Sequence, residues 1–226
     1  MTNDYPSTVR RRALFAGALL GAAGAALGAT SGCNRARPWD EARTASPSPT
    51  AGGTVLLAYF SRAGENYWNG GRRRLTIGNT QLVAGAISRL IGCDVHRIEA
   101  ADPYPDAYEP TVERNVREQE ADARPTIANP LASIDSYDTV LLGSPIWNVR
   151  APMIMSTFTE SLDFTDKTIH PFTTHAMSGL GTTERDYAGS CPGATLGEGL
   201  AVRGEEAADA GPAIESWLRR IGLLAR

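Results

Sequence analysis

The hydrophobic pattern of the chain alternates between two kinds of segment from Thr54 onwards. Short continuous apolar runs at Thr54–Phe60 and Thr139–Gly143 are typical of strands that are buried on both faces. Between them, Asn79–Ile91 carries its apolar residues at helical spacing, which predicts an amphipathic helix. The remaining expected strands are Cys93–Ile98, Thr168–Thr174 and a Gly-interrupted Thr195–Ala201, and the remaining expected helices are Asp106–Ala123, Pro152–Leu162, Glu184–Ala188 and Glu215–Leu224.

This alternation of strands and helices predicts the fold class. About five strand–helix alternations indicate an α/β domain with a doubly wound, five-stranded parallel sheet and helices on both faces. Connections between parallel strands are right-handed, which leaves few topologies. Ligands of such sheets bind outside the carboxyl ends of the strands, where the strand order reverses. We therefore expect functional residues directly after Phe60, Gly143 and Thr174.

The N-terminal segment predicts export from the cell. Arg10, Arg11 and Arg12 precede an uncharged stretch, Ala13 to Thr30, that is rich in Ala, Gly and Leu. A basic region followed by an apolar region and small residues is typical of an export signal. The consecutive arginines resemble a twin-arginine signal, which serves proteins that fold before export, and an ordinary secretory signal is the alternative.

A cysteine follows this signal directly. Thr30-Ser31-Gly32-Cys33 resembles a bacterial lipobox, although Thr30 stands where most lipoboxes carry an aliphatic residue. The resemblance implies lipidation of Cys33 and a location at the outer face of the cytoplasmic membrane, with secretion as the alternative. We therefore divide the chain into an export signal at 1–32, a disordered tether rich in Pro, Ser and Ala at 33–53, and a folded domain at 54–226.

Composition excludes some functions. Hydrophobic residues make up 42% and charged residues 21% of the chain, as in globular proteins with a core, and the net charge of −3 argues against a nucleic-acid binder. His96, His170 and His175 lack the spacing of a metal site. We expect Cys93 and Cys191 to lie on opposite sides of the sheet, as free thiols.

The segment after the first strand has the features of a phosphate site. Ser61-Arg62-Ala63-Gly64 is followed, after an excursion, by Gly78-Asn79-Thr80 at the start of a helix. Backbone N–H groups at a helix N-terminus, together with hydroxyls, suit a phosphate monoester. Asn79 or Thr80 could equally be an ordinary helix cap. The segment matches neither a Walker loop nor a dinucleotide fingerprint, and Ser61 lacks the context of a hydrolase nucleophile, so no catalytic residue is assigned.

The segments after the third and fourth strands suit a flat ring. Gly143-Ser144-Pro145-Ile146-Trp147-Asn148 places an aromatic side chain on a loop, where it can stack on a ligand, and a buried core Trp is the alternative. Thr174-His175-Ala176-Met177-Ser178-Gly179 is rich in small residues, which permit close approach of the backbone. A flexible surface loop would look similar. His175 fits a hydrogen-bonding role or a structural one.

Together the three segments resemble the flavodoxin-like family. The similar stretches are AYFSRAGENY, LLGSPIWNVRAP, PFTTHAMSGLG and CPGATLGEGLAVRG. The resemblance implies the strand order 2-1-3-4-5 and bound flavin mononucleotide (FMN). It further implies that Ser61, Arg62, Asn79 and Thr80 hold the phosphate. Pro145, Ile146, Trp147 and Asn148 would contact the isoalloxazine ring, with Trp147 stacking on it, and Ser178 and Gly179 would line the other side of the ring.

The chain departs from the family pattern in its first loop. Glu65–Ile77, which contains Arg72, Arg73 and Arg74, separates the two halves of the phosphate segment. We interpret it as an insertion that returns to the site at Gly78. The three arginines fit a solvated loop, and alternatively a site that attracts a phosphate or an anionic partner.

The resemblance implies an FMN-binding redox protein, which we predict to be an electron carrier, with two alternatives. An electron carrier would pass electrons from an exposed flavin edge to a redox partner protein, and a charged rim would favour it. A flavin-dependent reductase of quinones or similar small acceptors would have an apolar pocket over the flavin. A non-redox binding domain that has lost its flavin is the third class.

Overall fold

The computed structural model describes residues 54–225. The predictions of an export signal, a tether and a lipidated Cys33 concern residues outside this range. The main strands are β1 (Val55–Phe60), β2 (Gly64–Trp68), β3 (Gly71–Leu75), β4 (Asp94–Ile98), β5 (Thr139–Pro145), β6 (Thr168–His175), β7 (Thr195–Leu196) and β8 (Leu200–Arg203). The helices are α1 (Asn79–Leu90), α2 (Tyr108–Glu120), α3 (Met153–Glu160), α4 (Thr183–Ser190) and α5 (Gly211–Arg220), with a short 3₁₀ helix, Gly204–Asp209, before α5.

The central sheet is parallel and has the predicted order. β4, β1, β5 and β6 lie side by side, and β7 and β8 both pair with the outer side of β6. In the register of the centre, Leu57 of β1 lies between Val95 of β4 and Leu141 of β5, and Leu141 lies beside His170 of β6. When β7 and β8 are counted as one fifth position, the strand order within this six-stranded sheet is 2-1-3-4-5, so the predicted doubly wound topology is confirmed. The strand order reverses at β1, and the carboxyl ends of the strands at this switch point are where ligands of such sheets bind.

Alternation along β1 explains why helices cover both faces of the sheet. Leu56, Ala58 and Phe60 point into an apolar cluster that includes side chains of α3 and α4. Leu57 and Tyr59 point into a second cluster with side chains of α1 and α5. Because successive residues of a strand face opposite sides, an uninterrupted apolar run produces a strand that is buried twice. The predicted doubly wound fold is therefore present.

The fifth strand position differs from the prediction of one strand over Thr195–Ala201. The structure has two short strands there, β7 and β8, because the carbonyl of Glu198 turns away from the sheet. It accepts hydrogen bonds from Trp217 Nε1 at 3.0 Å and from the imidazole Nδ1 of His170 at 3.0 Å. These side-chain partners satisfy the carbonyl in place of a neighbouring strand, so the ladder is interrupted.

The insertion Glu65–Ile77 is not the solvated loop that the sequence favoured. Most of it forms an antiparallel hairpin, β2–β3, which pairs Glu65 with Arg74 and Tyr67 with Arg72. The turn is Asn69-Gly70, and both residues have positive φ, 45° and 83°. An Asn-Gly pair with two positive φ angles matches the twist of the flanking strands, which is the usual reason for its occurrence in two-residue hairpins.

Cys93 and Cys191 are free thiols on opposite faces of the sheet, as predicted. Cys191 belongs to the apolar cluster of α3 and α4, and Cys93 packs against the cluster of α1 and α5. Burial raises the pKa of each thiol to about 11, with a further contribution from Asp94 at Cys93. Within residues 54–225, no group of side chains is arranged to hold a metal ion, and no helix has the length and apolarity to cross a membrane.

Candidate cofactor site

A cavity of about 550 Å³ lies at the carboxyl ends of β1, β5 and β6. The hairpin and α2 supply its remaining sides. Of the ten residues that the sequence predicted for the site, nine line this cavity: Ser61, Arg62, Asn79, Thr80, Pro145, Ile146, Trp147, Asn148 and Ser178. Loops that are far apart in the chain therefore converge at the strand ends, as the switch-point rule predicts.

The end of the cavity near α1 has the features of an anion site. The helix begins at Asn79 and has no side-chain cap of its own and no acidic residue in its first turn. Ser61 Oγ, from the loop after β1, accepts the backbone N–H of Gln81 at 3.0 Å. The hydroxyls of Thr80 and Thr174 are hydrogen-bonded to each other at 2.8 Å. The positive end of the helix dipole thus faces the cavity without a carboxylate in its first turn.

Gly78 lets the loop after β1 approach this helix closely. A Cβ atom at Gly78 would lie 2.3 Å from Ser61 Oγ and 2.5 Å from the carbonyl oxygen of Arg62. Because real side chains do not tolerate such distances, glycine is required where the insertion returns to the site. The chain thus returns from the hairpin to the loop after β1 at Gly78.

Arg62 lines the cavity, but its guanidinium group makes contacts within the protein. Nη1 donates to the carbonyl oxygens of Pro105 at 2.8 Å and Asp106 at 3.1 Å, and Nη2 donates to the carbonyl oxygen of Glu65. Nε is buried and has no partner. Burial lowers the pKa of Arg62, against the opposing effect of Asp106 and Glu65. In this structure Arg62 therefore fastens the base of the hairpin to the loop before α2.

The opposite end of the cavity is aromatic and apolar. The ring of Trp147 makes edge-on contacts with Phe60 and Tyr104, at centroid distances of 5.8 Å and 5.1 Å. Edge-on contacts hold the indole in place and are favourable for aromatic pairs. Trp147 also packs against the core cluster of this face. Trp147 therefore both packs against the core and lines the cavity.

Behind Trp147, α2 supplies a rigid support. Tyr104 donates a hydrogen bond to Glu118 at 2.8 Å, and the guanidinium of Arg114 lies over the Tyr104 ring at 4.1 Å and bonds to Glu118 at 2.7 Å. Burial, followed by the hydrogen bond to Glu118, raises the pKa of Tyr104. Gln119 donates to the carbonyl oxygen of Trp147 at 3.3 Å. These contacts fix the position of the loop after β5.

The turn after Trp147 is strained. Asn148 and Val149 both have positive φ, 51° and 66°. Trp147 and Arg150 close the turn through a hydrogen bond of 2.8 Å from the N–H of Trp147. Asn tolerates this conformation, but a β-branched residue such as Val rarely adopts it. Strained backbone of this kind is concentrated at functional sites, and here it lies beside the cavity.

The two residues that were predicted to bind the cofactor in the loop after β6 differ in their positions. Ser178 lines the cavity, whereas Gly179 is outside its lining and accepts a hydrogen bond from Thr173 at 3.0 Å through its carbonyl. Met177 lines the cavity and has 82% of its surface exposed. The loop therefore presents Ser178 and Met177 to the cavity, while Gly179 fixes the loop to β6.

Several lining residues were not assigned from the sequence. The hairpin contributes Asn66 and Tyr67, and α2 contributes Thr111, Val112, Asn115 and Val116. The short 3₁₀ helix after β8 contributes Glu205. The Asn-Gly turn could have revealed the hairpin, but no local signal marks Glu205, because only the fold brings it to the cavity.

His175 and Glu205 occupy the border between β6, β8 and the hairpin. Burial and the neighbouring Arg203 lower the pKa of His175, against the opposing charges of Glu205 and Glu206. Burial acts to raise the pKa of Glu205, but backbone hydrogen bonds from Asn69 and from Glu205 itself, with the charges of Arg203 and His175, outweigh it and lower the pKa. Glu205 is therefore ionised near neutral pH, and an ionised carboxylate only accepts hydrogen bonds.

The fold and this site define a doubly wound α/β protein with a nucleotide-type cavity at the switch point of its sheet. Such a cavity, with an anion site at one end and an aromatic side chain at the other, fits a ligand that carries a phosphate on a flat ring. The chain matches the Flavodoxin family over residues 74–221, which is more than half of its length. It belongs to the Flavodoxin family, and this membership supports FMN as its cofactor.

Solved structures agree with this assignment. A candidate flavoprotein from Bacteroides uniformis is 28% identical, with a TM-score of 0.60, over 74% of this chain and 99% of that chain. A second candidate flavoprotein, from Bacteroides eggerthii, is 28% identical, with a TM-score of 0.61, over 75% of this chain and 98% of that one. A flavoprotein from Lactobacillus acidophilus, in complex with FMN, is 16% identical with a TM-score of 0.50, over 71% and 99% of the two chains, and shows the shared fold. No curated protein matches this chain in sequence.

Proposed function

We propose that this protein binds FMN in the cavity and uses it to reduce small apolar acceptors. One observation carries the proposal: a single cavity joins the N-terminus of α1, which has no cap from its own residues and suits a phosphate, to the ring of Trp147, which suits a flat heterocycle. FMN accepts and releases electrons when bound. The protein then acts by holding and orienting the cofactor.

The rim of the cavity favours a reductase over a carrier. Val112 and Val116 follow each other on one face of α2, and each has 37% of its surface exposed. Val149, with 54% of its surface exposed, lies on the loop after β5, beside Trp147. A rim of this kind is apolar rather than charged, and it would accept a flat apolar molecule more readily than a charged partner surface.

An electron carrier is the second candidate, and the exposure of Met177 favours it. A long, flexible, exposed thioether can contact many partner surfaces. Reduced protein mixed in a stopped-flow instrument with a naphthoquinone or with a ferric cytochrome separates the two functions. For a reductase, Val116→Asp slows reoxidation by the quinone at least tenfold and leaves the reaction with the cytochrome within twofold. The opposite pattern would favour the carrier.

Replacement of Trp147 tests the cofactor site itself. We expect Trp147→Ala to weaken FMN binding by about 10- to 100-fold, because a stacked aromatic side chain and its buried area are lost. The measurement is titration of the apoprotein with FMN, followed by quenching of flavin fluorescence. The matched control is Trp68→Ala, since Trp68 lies on the hairpin under Arg73, at 4.3 Å, and outside the cavity lining.

Two results would count against this site. Equal losses in the two Trp variants would mean that Trp147 does not contact the flavin. A full chain that binds no FMN, with no visible absorption of an oxidised flavin after reconstitution, would leave the non-redox binding domain as the function.

We also propose that the protein is exported and lipidated at Cys33, on the sequence of residues 1–33 alone. Export of a folded domain would allow FMN to be bound before the chain leaves the cytoplasm. We expect Arg11→Lys with Arg12→Lys to hold the precursor inside the cell. Cys33→Ser should abolish incorporation of labelled fatty acid and release the protein from membranes, and unchanged labelling in that variant would refute lipidation.

A further inference from the structure

The carboxylate of Glu205 has one engaged oxygen and one buried oxygen without a partner. Oε1 accepts a hydrogen bond from the backbone N–H of Asn69, at the tip of the hairpin, at 2.9 Å. Oε2 is buried and unbonded, and the nearest cation, Arg203 Nε, is 3.9 Å away, beyond hydrogen-bond distance. Only 8% of the Glu205 side chain is exposed. Leaving a buried carboxylate oxygen without a hydrogen-bond donor is costly, so Oε2 would be stabilised by a ligand group that donates to it.

A second unpartnered atom borders the same cavity. Nδ1 of His175 is buried without a hydrogen bond. His175 is the last residue of β6 and pairs in register with Arg203, two residues before Glu205. Both His175 and Glu205 line the cavity. Two residues whose side chains carry an unpartnered hydrogen-bonding atom therefore border the same cavity.

The Glu205 carboxylate and the His175 imidazole determine which kind of ligand group can bind beside them. A phosphate carries negative charge and would be repelled by the Glu205 carboxylate, so it belongs at the N-terminus of α1. A flat apolar ring offers no donors to them. Hydroxyl groups do, because an O–H donates to a carboxylate oxygen in a short, strong hydrogen bond. The border of the cavity is thus suited to a polyhydroxylated chain that connects a phosphate to a ring.

We propose that Glu205, assisted by His175, binds the hydroxyl groups of the cofactor's sugar-alcohol chain, while its other oxygen holds the hairpin over that chain. This inference rests on the proposed binding of FMN and assigns a further part of the same site. One carboxylate then joins two functions: Oε2 recognises the chain, and Oε1 places Asn66 and Tyr67 of β2 on the open side of the cavity.

Two flavins that differ only in these hydroxyls test the proposal. FMN is compared with a flavin phosphate whose connecting chain is an unsubstituted pentyl group, and both are titrated into the full chain as apoprotein. We expect Glu205→Ala to weaken FMN binding by about 10- to 100-fold and to change binding of the pentyl analogue by less than threefold. The control is Glu206→Ala, an exposed neighbour outside the cavity lining, which should leave both affinities within twofold.

Each other outcome overturns a defined part of the idea. Equal weakening of both flavins would mean that Glu205 acts only by holding the hairpin. Tighter binding of both would mean that it only repels the phosphate. No binding of either flavin to the wild-type chain would refute the proposed function rather than the role of Glu205.

A second variant guards against misfolding of Glu205→Ala. Glu205→Gln keeps an acceptor for Asn69 and the size of the side chain but removes the charge. We expect it to lose about 3- to 10-fold in FMN affinity, with circular dichroism unchanged and the pentyl analogue unaffected. His175→Ala should likewise weaken FMN and spare the analogue, and an unchanged FMN affinity in both variants would refute the assignment.

Discussion

The cavity has two walls of different construction. The sheet wall consists of β1, β5 and β6 with the loops that follow them, and its residues are continuous with two apolar cores. The hairpin wall consists of β2 and β3, and it is attached through backbone carbonyls, exposed ion pairs and one contact at its tip. Substitutions in the sheet wall therefore also destabilise the fold. Substitutions in the hairpin wall can be made while the domain remains folded.

The largest effect is expected in the core beneath the sheet wall. Phe172 on β6 is fully buried, and Phe172→Ala should lower the free energy of unfolding by about 3–5 kcal/mol, because it leaves a cavity that its neighbours fill only in part. Chemical denaturation of the apoprotein measures the loss. Val95→Ala on β4, where Val95 has 53% of its surface exposed, is the control and should change stability by less than about 0.5 kcal/mol. If Phe172→Ala lowered the free energy of unfolding by less than about 1 kcal/mol, the sheet wall would not depend on the core in the way stated above.

The next effect concerns the buried hydroxyl pair that joins α1 to the sheet wall. Thr80→Val leaves the Thr174 hydroxyl without its partner at 2.8 Å, which should cost about 1–3 kcal/mol. Because the cost comes from the unpaired partner, the double variant with Thr174→Val should lose less than the sum of the single variants. Denaturation curves of the three variants make up the test. Additive losses would show that the two hydroxyls act independently.

A smaller effect is expected in the hairpin wall. Arg74 and Asp106 form an ion pair whose two side chains are about 70% exposed, and Arg74→Ala should lower the free energy of unfolding by no more than about 1 kcal/mol. The difference should shrink at high salt, because exposed charges are screened. A larger, salt-independent loss would place the hairpin in the same class as the sheet wall.

The smallest effect is expected at His175, which lies where the two walls meet. Its pKa is lowered by burial and by Arg203, although Glu205 and Glu206 act in the opposite direction. As the pH falls, His175 is therefore protonated in the unfolded chain before it is protonated in the folded one. The stability contributed by the neutral imidazole is lost as the pH falls below 6.5, the ordinary pKa of histidine. His175→Asn should reduce the slope of stability against pH in that range. An unchanged slope would show that His175 titrates normally.

The strands and the order of the sheet follow from features that a sequence displays locally. β1 and β5 were predictable because a strand buried on both faces must be apolar throughout, and Leu57 and Leu141 obey this requirement. The helix starting at Gly211 was placed too late, at Glu215, because its first turn contains Pro212, a residue usually read as a break although it is compatible with a helix start.

The cavity was predictable only where its residues follow a strand. Ser61, Trp147 and Ser178 occupy the first turns after β1, β5 and β6, so knowledge of the sheet order was enough to bring them together. Glu205 follows an edge strand and reaches the cavity through the pairing of β8 with β6. The two hydrogen bonds to the Glu198 carbonyl that divide the fifth strand are likewise tertiary contacts, which no local pattern encodes.

The contact between Asn69 and Glu205 also has a consequence for the order of folding. The hairpin itself needs only local contacts and can form within microseconds. Its tip, however, bonds to a residue 136 positions further along the chain, and that residue is in place only when β8 has joined the sheet. Because contacts between distant residues close late, we expect the hairpin to form early and to be fastened last. Until then we expect the cavity to be open on the side that the hairpin later covers, so that a cofactor can enter there.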